Sequence, residues 1–273
     1  MIKKQGFKLL TVFFAFLIHS NFIFAWQVWL GQPPHKFSSG IALIDPDKWS
    51  REELAKLKIE NVKTIAWLNV SQIEPERLIT DEIKEKSLII NKRYHPKWGK
   101  LARFYGAPFK AILKQRIREY IEKGFSGFLL ARPFYYKSVS NSPINKLEMI
   151  KLISELYSEI KSLDPSQIVL VHNSFNLFEE ISQKSLIDGI VIEGLFNAKH
   201  GKHKHPWDRN KTLLILKKWR SNQKLVICVD DARKPERQEF IKKECKKYKF
   251  ETAFIELPIS LKGRIKKWWK EKK

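Results

Sequence analysis

From residue 26 onward the chain alternates short apolar runs with longer stretches whose apolar positions recur every three or four residues. That is the rhythm of strands each followed by a covering helix. Eight runs read as strands: WQVWL (26–30), GIALID (40–45), KTIAWLNV (63–70), SGFLLA (126–131), QIVLVHN (167–173), DGIVIEG (188–194), KLVICVD (224–230) and TAFIELP (252–258). Between them, WSREELAKL has Ser50 with Glu53 three residues on, so each side chain can accept from the other's backbone N–H at a helix start. Phe109, Ile112, Leu113, Ile117, Tyr120 and Ile121 share one helical face ahead of a stop at Gly124. Leu147, Ile150, Ile153, Leu156, Tyr157 and Ile160 form a second such stripe after Pro143.

Eight strands with intervening helices predict an α/β fold, a (β/α)₈ barrel of TIM type in one domain, over residues 26–262. No G-x-G-x-x-G or phosphate-binding loop follows the early strands, so nothing favours an open nucleotide-binding sheet. The connection from Ser71 to Gly106 reads as a loop or excursion over the barrel mouth. Residues 263–273, GRIKKWWKEKK, read as a basic tail on a solvated final helix.

The first 25 residues stand apart from this rhythm. Lys3, Lys4 and Lys8 precede an apolar run that finishes at Ile23-Phe24-Ala25, which fits a signal peptide cleaved before Trp26. The competing reading is an uncleaved anchor, although His19, Ser20 and Asn21 interrupt a run already short for a membrane span. The expectation is export to a secreted or periplasmic location.

Composition sharpens the question of partners. Fifty-two Lys and Arg against 29 Asp and Glu give a formal charge of +23, and losing the three signal-peptide lysines leaves +20. Such a field draws anionic partners without selecting among them. Acids scattered among the bases also fit a plain solvated surface. Cys228 in an apolar strand and Cys245 on a helix allow one disulfide in an exported protein, but read better as two buried thiols. His200, His203, His205 and Asp208 lie close together, yet interleaved Lys199, Lys202 and Lys204 oppose a cation; we expect a basic loop, no metal and no cofactor.

In a parallel barrel the active site is built where strands end. Those ends supply Asp45; Asn69, Gln72 and Glu74; Ala131 and Arg132; His172 and Asn173; Glu193; Asp230 and Asp231; and Glu256. Any one of them could cap a turn, but together they predict a polar pocket. Arg132 can grip an anionic group with its planar fork, or merely neutralise a buried acid. Phe134, Tyr135 and Tyr136 offer flat faces for sugar rings or for packing.

The ordered set IALIDPD, TIAWLNVSQIEPE, REYIEKGFSGFLLARPFYY, VLVHNSFNLFEE, DGIVIEGLF and LVICVDDARKPE resembles the glycoside hydrolase family 114 barrels, the endo-α-1,4-polygalactosaminidase type, from about Ile41 to Leu257. Against the family's pattern Glu74 keeps the second acid of the third-strand motif, Asn173 keeps the fifth-strand amide, Glu193 the sixth-strand acid and Asp230 the seventh-strand acid. On the fourth strand Ser126, Ala131 and Phe134 stand where the family has aspartates.

Glycoside hydrolysis ordinarily needs two carboxyl groups, and the resemblance leaves Glu193 as the acid/base, assisted by Asp230. It makes Asp45, Glu74, Arg132, Tyr135, His172, Asn173 and Asp231 substrate-binding groups. The expected partner is an extracellular or cell-surface polysaccharide, neutral or anionic, with hydrolysis altered or lost. The alternatives are a non-catalytic carbohydrate- or polyanion-binding protein, and a membrane-surface binder acting through the basic tail or an uncleaved leader. Nucleic acid is not expected.

Overall fold

A computed structural model describes residues 25–29, 40–73, 89–90, 100–138, 142–174, 177, 186–196, 209–230 and 235–255. Eight strands close into a parallel barrel: β1 (Ala25–Trp29), β2 (Gly40–Ile44), β3 (Val62–Asn69), β4 (Gly127–Ala131), β5 (Ile168–His172), β6 (Gly189–Glu193), β7 (Leu225–Asp230) and β8 (Glu251–Ile255). Each pairs with its neighbour in sequence, and β1 closes the ring against β8. All eight strands expected from the apolar runs are present. The leader before Ala25, the basic tail and the histidine-rich loop lie outside the described residues.

Alternation along the strands sorts side chains into two cores. Ile41, Leu43, Ile65, Trp67, Leu129, Ala131, Leu170, Val191, Ile227, Val229 and Ala253 fill the barrel interior. Their neighbours, such as Ile44, Leu68, Phe128, Val171 and Ile192, face outward under the helices. Each fully buried side chain of this size contributes about 1.5–3 kcal/mol. At two points strands approach so closely that only glycine fits. A Cβ on Gly127 would lie 2.3 Å from the Ile168 carbonyl, and one on Gly189 would lie 2.6 Å from the Leu225 carbonyl.

The outer layer comprises α1 (Arg51–Ile59), α2 (Ala107–Lys123), α3 (Ser142–Leu163), α4 (Arg209–Ser221) and α5 (Pro235–Lys247). The capping pair at α1 forms: Glu53 N–H donates to Ser50 Oγ at 3.2 Å, and Ser50 N–H to Glu53 Oε2 at 2.6 Å. Helix α2 buries Phe109, Leu113, Ile117 and Tyr120, then stops at Gly124, whose φ of 109° is the left-handed cap conformation. Lys110–Glu155 at 3.0 Å and Arg118–Glu159 at 2.6 Å lace α2 to α3.

The α3 stripe needs one correction. Leu147 is 62% exposed, and Met149 and Leu152 are buried beside Ile150, Ile153, Leu156 and Ile160. The buried apolar face is wider than the stripe and starts at Met149.

Within the Ser71–Gly106 excursion the described parts form a short antiparallel pair, Gln72–Ile73 against Lys100–Leu101, extended by a bridge between Ile89 and Ala102. Ala102 N–H donates to the Ser71 carbonyl at 2.9 Å. Cys228 and Cys245 are free and buried. No helix among the described residues is long and apolar enough to cross a membrane.

Candidate functional site

The last residues of β3, β4, β5 and β6 meet at the barrel mouth. Strand β3 ends in Asn69, whose Oδ1 accepts from Ser71 N–H at 3.2 Å and Gln72 N–H at 3.0 Å, fixing the turn out of the strand. This turn supports the neighbouring strand end. Ser71 Oγ donates to the Arg132 carbonyl at 2.7 Å, and Val70 N–H donates to the Ala131 carbonyl at 3.1 Å.

Arg132 leaves β4 with φ of 59°, the left-handed region that a non-glycine residue adopts only when its surroundings hold it there. The Ser71 hydroxyl is one such restraint. At the far end of the side chain, Nη1 donates to Gln72 Oε1 at 3.1 Å. The guanidinium carbon lies 5.9 Å from the centre of the Trp67 ring. The preceding residue, Ala131, is fully buried in the barrel interior and offers no polar atom beyond its backbone.

Strand β5 ends in His172, buried between aromatic rings: Trp67 at 5.3 Å and Phe134 at 6.1 Å between centroids. Its Nε2 lies 3.3 Å from Glu193 Oε1, an ion-pair distance without hydrogen-bond alignment. The Glu193 side chain is 38% exposed, whereas that of His172 is 4% exposed, so the carboxylate faces the mouth and the imidazole lies beneath it. Asn173 adopts φ of 47° and accepts from Glu193 N–H at 2.9 Å through Oδ1, which fixes the backbone on which the carboxylate sits. Among the described residues, both ring nitrogens of His172 and the indole N–H of Trp67 are buried without a hydrogen-bond partner. Buried polar atoms of this kind are uncommon, and an ordered water, an ion or a role in the chemistry of a site are the usual reasons for them.

The other candidate residues have different surroundings. Asp45 accepts from Asp47 N–H at 3.2 Å and caps the short 3-10 turn Pro46–Lys48 after β2. Tyr135, half-buried, packs its ring 4.7 Å from that of Phe134 and donates its N–H to the Arg132 carbonyl at 3.3 Å. Asp230 ends β7 and is buried, and by alternation it shares the outer layer with Val226 and Cys228, while Val229 faces the interior. Burial pushes the Cys228 thiol well above its ordinary range, and the Asp230 charge adds to that shift; the same charge acts on Cys245 of α5. The structure thus brings Asp230 to the thiol pair between β7 and α5. Glu74, Asp231 and Glu256 lie outside the described residues. No group of three His, Cys, Asp or Glu side chains among the described residues is arranged to hold a metal ion.

Two contributors went unread in the sequence: Trp67, packed against Arg132 and His172, and Ser71 as the backbone support of Arg132, beside the nominated Gln72. The alternation Ile65, Trp67, Asn69 was the available signal for the first. The second depends on chain reversal after β3 and has no periodic signature.

The sequence profile of the glycoside-hydrolase family GH114 matches residues 20–257. Among solved structures, the glycoside hydrolase domain of PelA from Pseudomonas aeruginosa superposes with a TM-score of 0.67 at 14% identity, covering 85% of this chain and 94% of that one. Ega3 of Aspergillus fumigatus, solved in complex with galactosamine, gives 0.66 at 14% identity, with 85% and 90% covered. At these identities the likeness is one of fold. No match was found among curated proteins.

Proposed function

The chain belongs to glycoside-hydrolase family GH114, and from that premise we propose that it is an exported barrel that binds a polysaccharide across its mouth, with hydrolysis lost or much reduced. The observation behind this reading is the pairing of Glu193. The half-exposed carboxylate faces a buried imidazole, and the strand end that would bring a second carboxylate toward it finishes in Ala131. A glycosidase pair needs an acid and a nucleophile or base about 5–10 Å apart, and alanine can neither transfer a proton nor stabilise an oxocarbenium-like charge. Family membership supports a polysaccharide as the partner.

The groups around the mouth suit recognition of a sugar. Just beneath it, His172 and Trp67 hold polar atoms that no described residue bonds, and Trp67 and Phe134 supply ring faces. Arg132, next to the alanine that stands for the expected acid, adds a cation, which favours a neutral or acidic glycan over a polycationic one. Glu193 is the remaining acid/base for any residual cleavage.

The test compares the wild-type chain with Glu193→Gln and Arg132→Ala against neutral, acidic and amino-sugar polymers, measuring retention and released reducing ends. Glu193→Gln should keep retention. Arg132→Ala should weaken it, most on acidic polymers at low salt, where charge contacts are least screened. Efficient cleavage by the wild-type chain that Glu193→Gln abolishes would replace this reading with that of an active hydrolase.

A further inference from the structure

All strands of a parallel barrel start on one face, so the chain enters β1 at the base, opposite the mouth. Trp26 pairs with Ala253, which sets that entry beside the start of β8. Helices α4 and α5 end at the same corner. The last turn of α4 has Lys218 and Arg220, and that of α5 has Lys246 and Lys247. The turn before β8 adds Lys249. These side chains are exposed.

The corner is one built surface. Arg220 Nε donates to the Lys249 carbonyl at 2.9 Å, tying the end of α4 to the turn after α5. Lys217 and Lys247 both reach the Tyr248 ring, with Nζ 4.8 and 5.4 Å from its centre. The neighbouring acids do little to offset this charge. Glu244 is engaged by Arg209 at 3.8 Å. Glu251 is half-buried and faces the Arg220 charge.

Helix C-termini favour one or two cations through the helix dipole. Two converging termini and a further lysine exceed that need, and like charges within a screening length of one another repel. Such a cluster costs stability unless it meets an anionic surface.

We propose that this basic corner of the barrel base docks on an anionic phospholipid bilayer and holds the mouth away from it. Lysine clusters beside a membrane-directed segment are attracted by anionic headgroups as point charges, without a shaped pocket. Here the sequence leading into Ala25 at this corner is LLTVFFAFLIHSNFIF, with Lys3, Lys4 and Lys8 ahead of it. A sugar would call for an open ring face to stack on, and among the described residues the Tyr248 ring at the corner is covered. Tyr248 stacks on Phe196 at 6.2 Å and on Phe250 at 5.6 Å, beneath the two lysines.

The experiment uses the full chain with vesicles of phosphatidylcholine alone and vesicles containing about 30% phosphatidylglycerol, a composition giving the negative surface potential required. A corner variant combines Lys218→Gln, Lys246→Gln, Lys247→Gln and Lys249→Gln. A control removes four bases elsewhere: Arg51→Gln, Lys151→Gln, Lys211→Gln and Lys243→Gln. Melting curves confirm that both fold.

The corner variant should lose at least about tenfold in association with the anionic vesicles and nothing on the neutral ones, with the control losing under about threefold. Equal losses in the two variants would reduce the effect to net charge and overturn the proposal. Equal wild-type binding to both vesicle types would assign attachment to the apolar segment alone. A corner variant that keeps vesicle binding but loses retention on an anionic glycan would make the corner a glycan surface instead.

Discussion

Nε2 of His172 lies 3.3 Å from Oε1 of Glu193, joining the ends of two adjacent strands across the barrel mouth. The imidazole is buried between Trp67 and Phe134 while the carboxylate is half-exposed, so the pair connects the packed interior to the barrel mouth. His172→Phe keeps the ring packing and removes both nitrogens. Its melting temperature should stay close to wild type, while glycan affinity falls about five- to tenfold, the size of one lost buried hydrogen bond. His172→Gln, which restores a polar group, should recover part of that affinity. Unchanged retention in both variants would remove His172 from the site.

Ala131→Asp returns a carboxylate to the end of β4, in the interior at the mouth and next to Arg132. Release of reducing ends from an amino-sugar polymer should rise at least about a hundredfold, the scale of one acid/base group. No gain would mean that the missing acid is not what limits cleavage.

Gly127 and Gly189 test the closeness of the strands. A Cβ at Gly127 would also meet Ile65 Cδ1 at 2.7 Å, and one at Gly189 would meet Leu225 Cβ at 2.6 Å. Since backbone carbonyls lie as near, the clash cannot be relieved by a rotamer change. Gly127→Ala and Gly189→Ala should each destabilise the chain by about 3 kcal/mol or more in denaturant unfolding.

Burial raises the Glu251 carboxyl above its ordinary 4.5, with Arg220 opposing the shift. The folded chain therefore holds that proton more tightly than the unfolded chain. Its contribution is most favourable below pH 4.5 and declines as pH rises through the folded-state value. Glu251→Gln should raise the melting temperature by about 1–2 °C at neutral pH and leave it unchanged at acid pH. An equal gain at both pH values would point to packing in place of charge.

The fold was legible because each strand has its own apolar run with turn residues on either side, and because Ser50 with Glu53 and Gly124 mark helix ends by local chemistry. The ladder between Gln72–Ile73 and Lys100–Leu101 was not, since its partners stand 29 and 27 residues apart and its strands are too short for a period. At the site, Glu193 and His172 could be nominated from strand ends, but their contact depends on barrel closure. Asp230 shows the limit of reading strand ends alone. One position along a strand reverses the face, and the alternation through Val226 and Cys228 sets Asp230 on the outer one.

The antiparallel ladder has a consequence for how the mouth can vary. Ser71 and Ala102 are joined by a backbone hydrogen bond at 2.9 Å, and Gln72, which holds Arg132, pairs with Leu101. The excursion between the ladder's two strands is closed off at its root like a drawn purse. Residues can be inserted, deleted or exchanged beyond that closure without loosening the grip on Arg132. Changes confined beyond that closure should leave the Arg132 anchor in place, which makes this excursion the segment to vary when the anchor must be kept.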